Sequence, residues 1–309
     1  ISNFKSGGKT TAPARKLSDL CRLLPDQAEI HFYIDGVDLK IESGSGKYNL
    51  TTLPSEDFPV FESEDSLSEI NISPLNLKTL ISTTSFAMGS DSWRSYLSGL
   101  NLIIDDKTIT AVATDQSRLA VANSSLNTAV SENISGIVPK KSINEIGKLV
   151  SEASENIIIK LGTSSISVNA GGTNFVSKLI EGKFPDHEQV IPFGESSSLK
   201  IDRKEFSDSL SRVSVLSGGD HKGVRFLTEK NIINISANNP EKEHGEESLS
   251  CKYDGENIDI AFNVNYFQEI LNSLNSQEIE INFFGSERSC LITEPNNESL
   301  KYVVMPLLV

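Results

Sequence analysis

Apolar residues recur along this chain at a helical period and then at a strand period, and the whole alternation repeats. Leu17, Leu20 and Leu24 have the spacing of one helical face. A shift of 126 positions carries them onto Ile143, Ile146 and Val150, and a shift of 250 onto Phe267, Ile270 and Leu274. Each set predicts a helix, over 14–24, 139–150 and 264–274, with Pro13 suited to a first turn. Three strand-like runs follow each helix: 30–34, 37–42 and 47–51, then 157–161, 165–169 and 174–179, then 278–284, 289–293 and 300–305. Asp35-Gly36, Gly44-Ser45-Gly46, Gly162-Thr163 and Gly171-Gly172 separate them as hairpin signals. The first two copies close on Phe58-Pro59 and Phe184-Pro185, the third on Met305-Pro306. A repeat this long is a complete supersecondary unit, so the chain is built by duplication.

The segments between the copies also resemble each other. Leu77, Leu80, Ile81 and Thr84 predict a helix over 73–86, and Phe206, Leu210 and Val213 one over 202–216. Strand-like runs follow at 100–104 and 109–113, and at 224–227 and 232–237. The larger unit, two helices and roughly eight strands, is complete twice, whereas the start of the chain holds only its second half. The expected domains are 1–65, 66–195 and 196–309, joined by connectors at 62–65 and 194–198. Both helices of a unit would pack on one side of antiparallel sheets, an α+β arrangement. Repeated units leave sheet edges at the chain's ends, and head-to-tail pairing of copies would cover them and could close a ring.

Composition narrows the function. The chain has 309 residues, 38% hydrophobic and 23% charged, in the range of a globular protein. It has no apolar run long enough to span a membrane. The opening Ile1-Ser2-Asn3-Phe4-Lys5 has neither Met nor a signal-peptide core, and with the halved first unit this leads us to expect a fragment. Cys21, Cys251 and Cys290 are widely spaced and form no CxxC, which suits reduced thiols in the cytoplasm rather than a metal site or disulfide framework. His31, His187, His221 and His244 are scattered, and no HExxH, GxSxG, Walker A or GxGxxG occurs. Gly171-Gly172 and Asp105-Asp106-Lys107 read as turns, so no catalytic residue, metal or cofactor is expected. The net charge of -14 alone argues against nucleic acid, but net charge does not say where the cations sit.

The cations are concentrated on the helices. Arg15, Lys16 and Arg22 lie on one, Lys140, Lys141 and Lys148 on another, and Arg203, Lys204 and Arg212 on a third that also carries Asp202, Glu205 and Asp208. Lys or Arg near a helix start opposes the helix dipole, so helix stability does not explain the placement. An anionic partner would; an ordinary solvated face is the alternative.

Several segments, in order and spacing, resemble one family. They are Ala111-Val112-Ala113-Thr114-Asp115 with Arg118-Leu119-Ala120, Ile137-Val138-Pro139-Lys140-Lys141, the run from Leu179 to Pro192, Gly223-Val224-Arg225, Ala237-Asn238-Asn239-Pro240, Phe262-Asn263-Val264 and Tyr302-Val303-Val304-Met305-Pro306. Over essentially its full length the chain resembles the bacterial DNA polymerase III beta subunits, the sliding clamps. The resemblance implies three domains of similar DNA clamp fold, the first lacking its opening half here. It also implies a head-to-tail homodimer forming a ring around duplex DNA, read without regard to sequence. No enzymatic activity is implied. The implied protein partners are the polymerase III alpha subunit, the clamp loader and other proteins with a clamp-binding motif. The rival readings are a repeat-built interaction scaffold without DNA and an enzyme with an unrecognised site.

The resemblance also assigns residues. Facing DNA it implies Arg15, Lys16, Arg22, Lys140, Lys141 and Lys148, with Arg94 and Tyr96 matching clamp positions near DNA; Ser95 stands where a tyrosine is common. A partner-peptide pocket between domains two and three is implied at Leu97, Thr114, Arg118, Leu119, Pro185, Val190, Asn263, Tyr266, Ser289, Val303, Met305, Pro306 and Leu307. A buried final strand is the alternative for 303–307. Gln116-Ser117 replaces a common Gly-His, and Leu307-Leu308-Val309 lacks a common basic residue, which bears on peptide preference. For the dimer seam, acidic Glu241, Glu243, Glu246 and Glu247 would face Lys40, Lys47 and Lys16, with Tyr48, Leu50, Val215 and Leu216 supplying apolar contact.

Overall fold

The structure is a computed structural model, described over residues 7–59, 68–90, 93–127, 129–130, 132–218 and 222–307. The opening residues, the connector at 62–65, His221, Leu308 and Val309 lie outside these. The chain forms two compact units, residues 1–62 and 63–309.

In the first unit, helix α1 (Ala14–Leu23) precedes a three-stranded antiparallel sheet of β1 (His31–Asp35), β2 (Asp38–Ser43) and β3 (Gly46–Thr51), in that order. Gly36 and Gly44 turn the two hairpins at positive φ. Ile41 and Leu39 are buried, but α1 buries no residue completely. Leu23, Phe32, Ile34, Val37 and Phe58 are exposed. Among the described residues of this unit α1 is the only α-helix.

The second unit holds two complete rounds of the repeat. The first runs β4 (Ser68–Ile72), α2 (Pro74–Thr84), β5 (Gly99–Asp105), β6 (Thr108–Thr114), β7 (Arg118–Ser125), β8 (Ile134–Pro139), α3 (Lys140–Glu152), β9 (Ile157–Leu161), β10 (Ser165–Ala170) and β11 (Thr173–Lys178). The second runs β12 (Ser197–Asp202), α4 (Arg203–Ser214), β13 (Gly223–Glu229), β14 (Ile232–Asn238), β15 (His244–Ser250), β16 (Lys252–Tyr253), β17 (Asp259–Asn263), α5 (Val264–Ser273), β18 (Glu278–Phe283), β19 (Cys290–Glu294) and β20 (Asn297–Val304). Pro139 ends β8 rather than opening α3, since a proline φ suits the extended residue just before a helix as well as its first turn. The other three helix starts of this unit have polar caps: Ser73 accepts from the Asn76 N–H, Asp202 from the Glu205 N–H and Asn263 from the Asn265 N–H.

Ile143, Ile146 and Val150 on α3 are buried, as are Phe267 and Ile270 on α5 and Leu274 at its C-terminal cap. Each stripe packs against its companion helix, α2 or α4, in one continuous apolar core. Phe206, Phe226, Phe262 and Phe267 interlock at its C-terminal end, with ring centroids 5.1–6.2 Å apart. The sheets are four-stranded (β11-β10-β9-β4), four-stranded (β15-β14-β13-β17) and nine-stranded (β16-β12-β18-β19-β20-β7-β6-β5-β8). The nine-stranded sheet joins the two rounds where β20 pairs antiparallel with β7.

Candidate functional site

The outer face of the β7–β20 joint carries a second, smaller apolar cluster. Val112, Leu119, Val121 and Val303 are buried together, and Ile103, Phe184, Val190, Ile191 and Leu291 pack against them while remaining partly open to solvent. The strand period explains this: in β7, Leu119 and Val121 point away from the helices while Ala120 and Ala122 join the main core. Val303 lies opposite Leu119 in the ladder.

The turn entering β7 is braced from within. Thr114 Oγ1 accepts from the Gln116 N–H at 3.1 Å and donates to the Arg118 carbonyl at 2.6 Å, while Asp115 Oδ1 accepts from the Ser117 and Arg118 N–H groups. These bonds hold Gln116 at φ +80°, a conformation that favours glycine. The chain leaving β20 is fixed alongside: the Met305 N–H donates to the Ser117 carbonyl at 2.9 Å, and the Leu307 N–H to the Ala261 carbonyl at 2.8 Å. Met305 itself is exposed.

The structure therefore brings together Thr114, Arg118, Leu119, Val190, Tyr266, Val303 and Met305, with Pro306 and Leu307 half-buried beside them on the outgoing chain. Pro185 is exposed on the loop between Phe184 and Val190. Leu97 is buried outside both apolar clusters, Asn263 accepts from the Asn265 N–H as the cap of α5, and Ser289 is half-buried before β19. Val303 and Val304 are buried, Met305 is exposed, and Pro306 and Leu307 are half-buried, so burial and accessibility divide the 303–307 segment between them. Phe184, Ile191, Val121 and Leu291 belong to this apolar cluster but were not among the pocket residues expected from the sequence. The Phe-Pro repeat mark at Phe184 and the strand alternation from Leu119 to Val121 were the available signals.

The candidate DNA-facing cations divide by partner. Arg15 and Lys16 on α1, Lys140 and Lys141 on α3, and Arg94 are exposed with no ion-pair partner among the described residues. Neither α1 nor α3 has an acidic residue in its first turn. Arg22 pairs with Asp19 at 2.6 Å and Lys148 with Glu145 at 2.8 Å, each in an exposed pair. Tyr96 is half-buried against Gly182, where an added Cβ would sit 3.2 Å from the Tyr96 Cβ. On α4 the cations are committed to the fold: Arg203 donates to the Ser276 and Leu271 carbonyls, Lys204 pairs with Asp208, and Arg212 forms a bidentate pair with Glu247.

The candidate seam residues lie on or beside sheet edges. β3 and β15 are each the last strand of their sheet. Lys47 is exposed and lies 3.5 Å from Glu42, half-buried Lys40 lies 3.5 Å from Asp38, Tyr48 is exposed and Leu50 half-buried. Glu246 is exposed beside His244, Glu241 is exposed, and Glu243 accepts from the Asn239 side chain at 2.6 Å. Hydrogen bonding to Arg212 holds the Glu247 carboxyl below its ordinary range. Val215 is exposed and Leu216 half-buried. Among the described residues no three His, Cys, Asp or Glu gather as a metal site. Burial pushes the thiols of Cys251 and Cys290 up to about 11 and about 12, so both stay protonated near neutral pH.

Comparison with known proteins places these features. Residues 1–62 match the N-terminal domain of the DNA polymerase III beta subunit, 71–186 its central domain and 188–308 its C-terminal domain. The chain is 36% identical over 300 residues to the beta sliding clamp of Pseudomonas putida and 34% to that of Escherichia coli K12; each match covers 97% of this chain and 82% of the relative. The crystal structure of the Pseudomonas aeruginosa subunit superposes with a TM-score of 0.95 at 34% identity, covering 100% of this chain and 85% of that one. A second P. aeruginosa clamp structure, bound to griselimycin, matches with a TM-score of 0.93 at 34% identity, covering 100% and 84%. The chain belongs to the DNA polymerase III beta subunit family and is a sliding clamp, a non-catalytic component of DNA replication.

Proposed function

We propose that this clamp acts in the cytoplasm as a head-to-tail homodimer closed around duplex DNA. The outer groove would take peptides of the polymerase III alpha subunit, the clamp loader and other clamp-binding proteins. The observation that carries the ring is the β20–β7 joint. Under the repeat, β3 is the counterpart of β20, and β15 of β7. β20 and β7 are paired within the chain, whereas β3 and β15 are sheet edges. A second copy supplies the missing pairing.

The internal joint also supplies a register. Leu50 and Tyr48 face Leu39 and Ile41 as Val304 and Tyr302 face Cys290 and Ile292, so Lys47 corresponds to Lys301. Glu247 and Gly245 face Ile235 and Ala237 as Ala122 and Ala120 face Ala111 and Ala113, so Glu246 corresponds to Val121. Lys301 lies opposite Val121. Transferred across the seam, Lys47 of one copy lies opposite Glu246 of the other, an attractive cross-strand pair. Arg15, Lys16, Lys140, Lys141 and Arg94 are the cations available to phosphate. Contacts of that kind hold DNA without reading sequence, which permits sliding.

Retention on DNA of different topology tests this reading. The loaded clamp should stay on circular DNA and run off the same DNA after linearisation. Equal release from both would favour an interaction scaffold that does not enclose DNA.

A further inference from the structure

The side chain of Arg118 is buried and every face of it is occupied. Its Nε–H donates to Asp115 Oδ2 at 3.0 Å, one terminal nitrogen to the Phe86 carbonyl at 2.8 Å, and the other to Glu269 Oε2. The guanidinium carbon lies 4.6 Å from the ring centroid of Tyr266 and 5.3 Å from that of Phe86. Asp115 and Phe86 belong to the central region, Tyr266 and Glu269 to α5 of the C-terminal region. Among the described residues Arg118–Glu269 is the only ion pair that joins these two regions. It stands at the end of the ladder that forms the groove, with Leu119 the next residue and Val304 opposite Arg118.

The repeat shows why this acid is available. Glu269 corresponds to Glu145 on α3 and Asp19 on α1. Both of those pair locally, three residues on, with Lys148 and Arg22. The equivalent position on α5 is Asn272, which carries no charge. Loss of the local cation leaves Glu269 free to reach across to Arg118.

We propose that the Arg118–Glu269 pair is a latch holding the groove in its peptide-binding form, with Glu269 a positioning residue outside the apolar surface. This rests on the groove being the partner site. In that role Arg118 orients β7 against α5 rather than contacting the peptide. Removing the carboxylate leaves a buried guanidinium short of one partner, and the two regions lose their charged tie.

Griselimycin, the ligand bound by the P. aeruginosa clamp, is the probe, titrated calorimetrically into wild type, Glu269→Gln, Glu269→Asp and Asn272→Lys, with Leu119→Ser reporting on the groove. We expect about five- to tenfold weaker binding for Glu269→Gln and a clear recovery in Glu269→Asp. Asn272→Lys, which rebuilds the local pair and keeps both latch residues, should also weaken binding. Wild-type binding undiminished in Glu269→Gln and Asn272→Lys overturns the latch alone. Failure of wild type to bind, or binding untouched by Leu119→Ser, overturns the groove reading and the latch with it.

Discussion

Val303 of β20 and Leu119 of β7 face each other across an antiparallel ladder and are both almost fully buried. The pair is at once the centre of the smaller apolar cluster and part of the joint between the central and C-terminal regions. If the cluster receives peptides as proposed, truncation there affects stability and binding together. Leu119→Ala should cost about 2–4 kcal/mol of folding stability. Chemical denaturation measures this, and a cost near zero would show that the joint does not rely on the cluster.

The transferred register makes the seam testable by charge. Lys47→Glu and Glu246→Lys should each weaken the homodimer by about tenfold or more, since like charges then face each other. Mixing the two variants places opposite charges at both seams of a mixed ring, in swapped order at one and in wild-type order at the other, and should restore association. Sedimentation velocity reads the outcome; no recovery on mixing would reject the register.

Cations without partners should matter to DNA more than paired ones. Lys140→Ala and Lys141→Ala should each lower the slope of log K against log salt by about 1, because each removes one phosphate contact and its released counterion. Lys204→Ala should change it little, since Lys204 is held by Asp208. Equal effects from all three would remove the distinction.

Gln116 occupies a left-handed backbone position. Gln116→Gly should relieve a cost of about 1 kcal/mol and raise the melting temperature, whereas Gln116→Val should lower it. A melting temperature that falls with glycine would mean that the Gln116 side chain outweighs its backbone strain.

The Arg212–Glu247 pair makes a pH-dependent contribution. Glu247 titrates lower in the folded protein than its ordinary value of 4.5. The contribution is therefore complete above that value and is lost as pH falls through the lower folded value. Wild type should lose more stability than Glu247→Gln between pH 5 and the acid range. Parallel melting curves in that range would show that the pair contributes nothing there.

The repeat was legible because helical and strand periods survive duplication, and the recurring stripe at Ile143 and Phe267 marked core in both complete rounds. What it could not show was that the same stripe at Leu17 is only half-buried in the first unit: periodicity reports which face is apolar, not whether anything covers it. Strands such as β7, β15 and β20 were incompletely marked because edge and joint strands carry mixed patterns; β15 alternates Glu246 and Glu247 with Leu249. Of the groove, Leu119, Val190 and Val303 followed from the family resemblance. Glu269 was legible only as an acid on a helix without cations, because its partner lies 151 positions away.

A sheet that runs unbroken through a joint also has mechanical meaning. Five residues of β20 lie opposite five of β7, from Leu300–Ala122 to Val304–Arg118. A load drawing the C-terminal region along the strand direction acts on these hydrogen bonds side by side, in shear, rather than opening them one after another like a zip. The joint is thus a weld, and bending between the central and C-terminal regions is resisted by the stiffness of a nine-stranded sheet. Any load applied at this face therefore acts on the backbone of both regions at once.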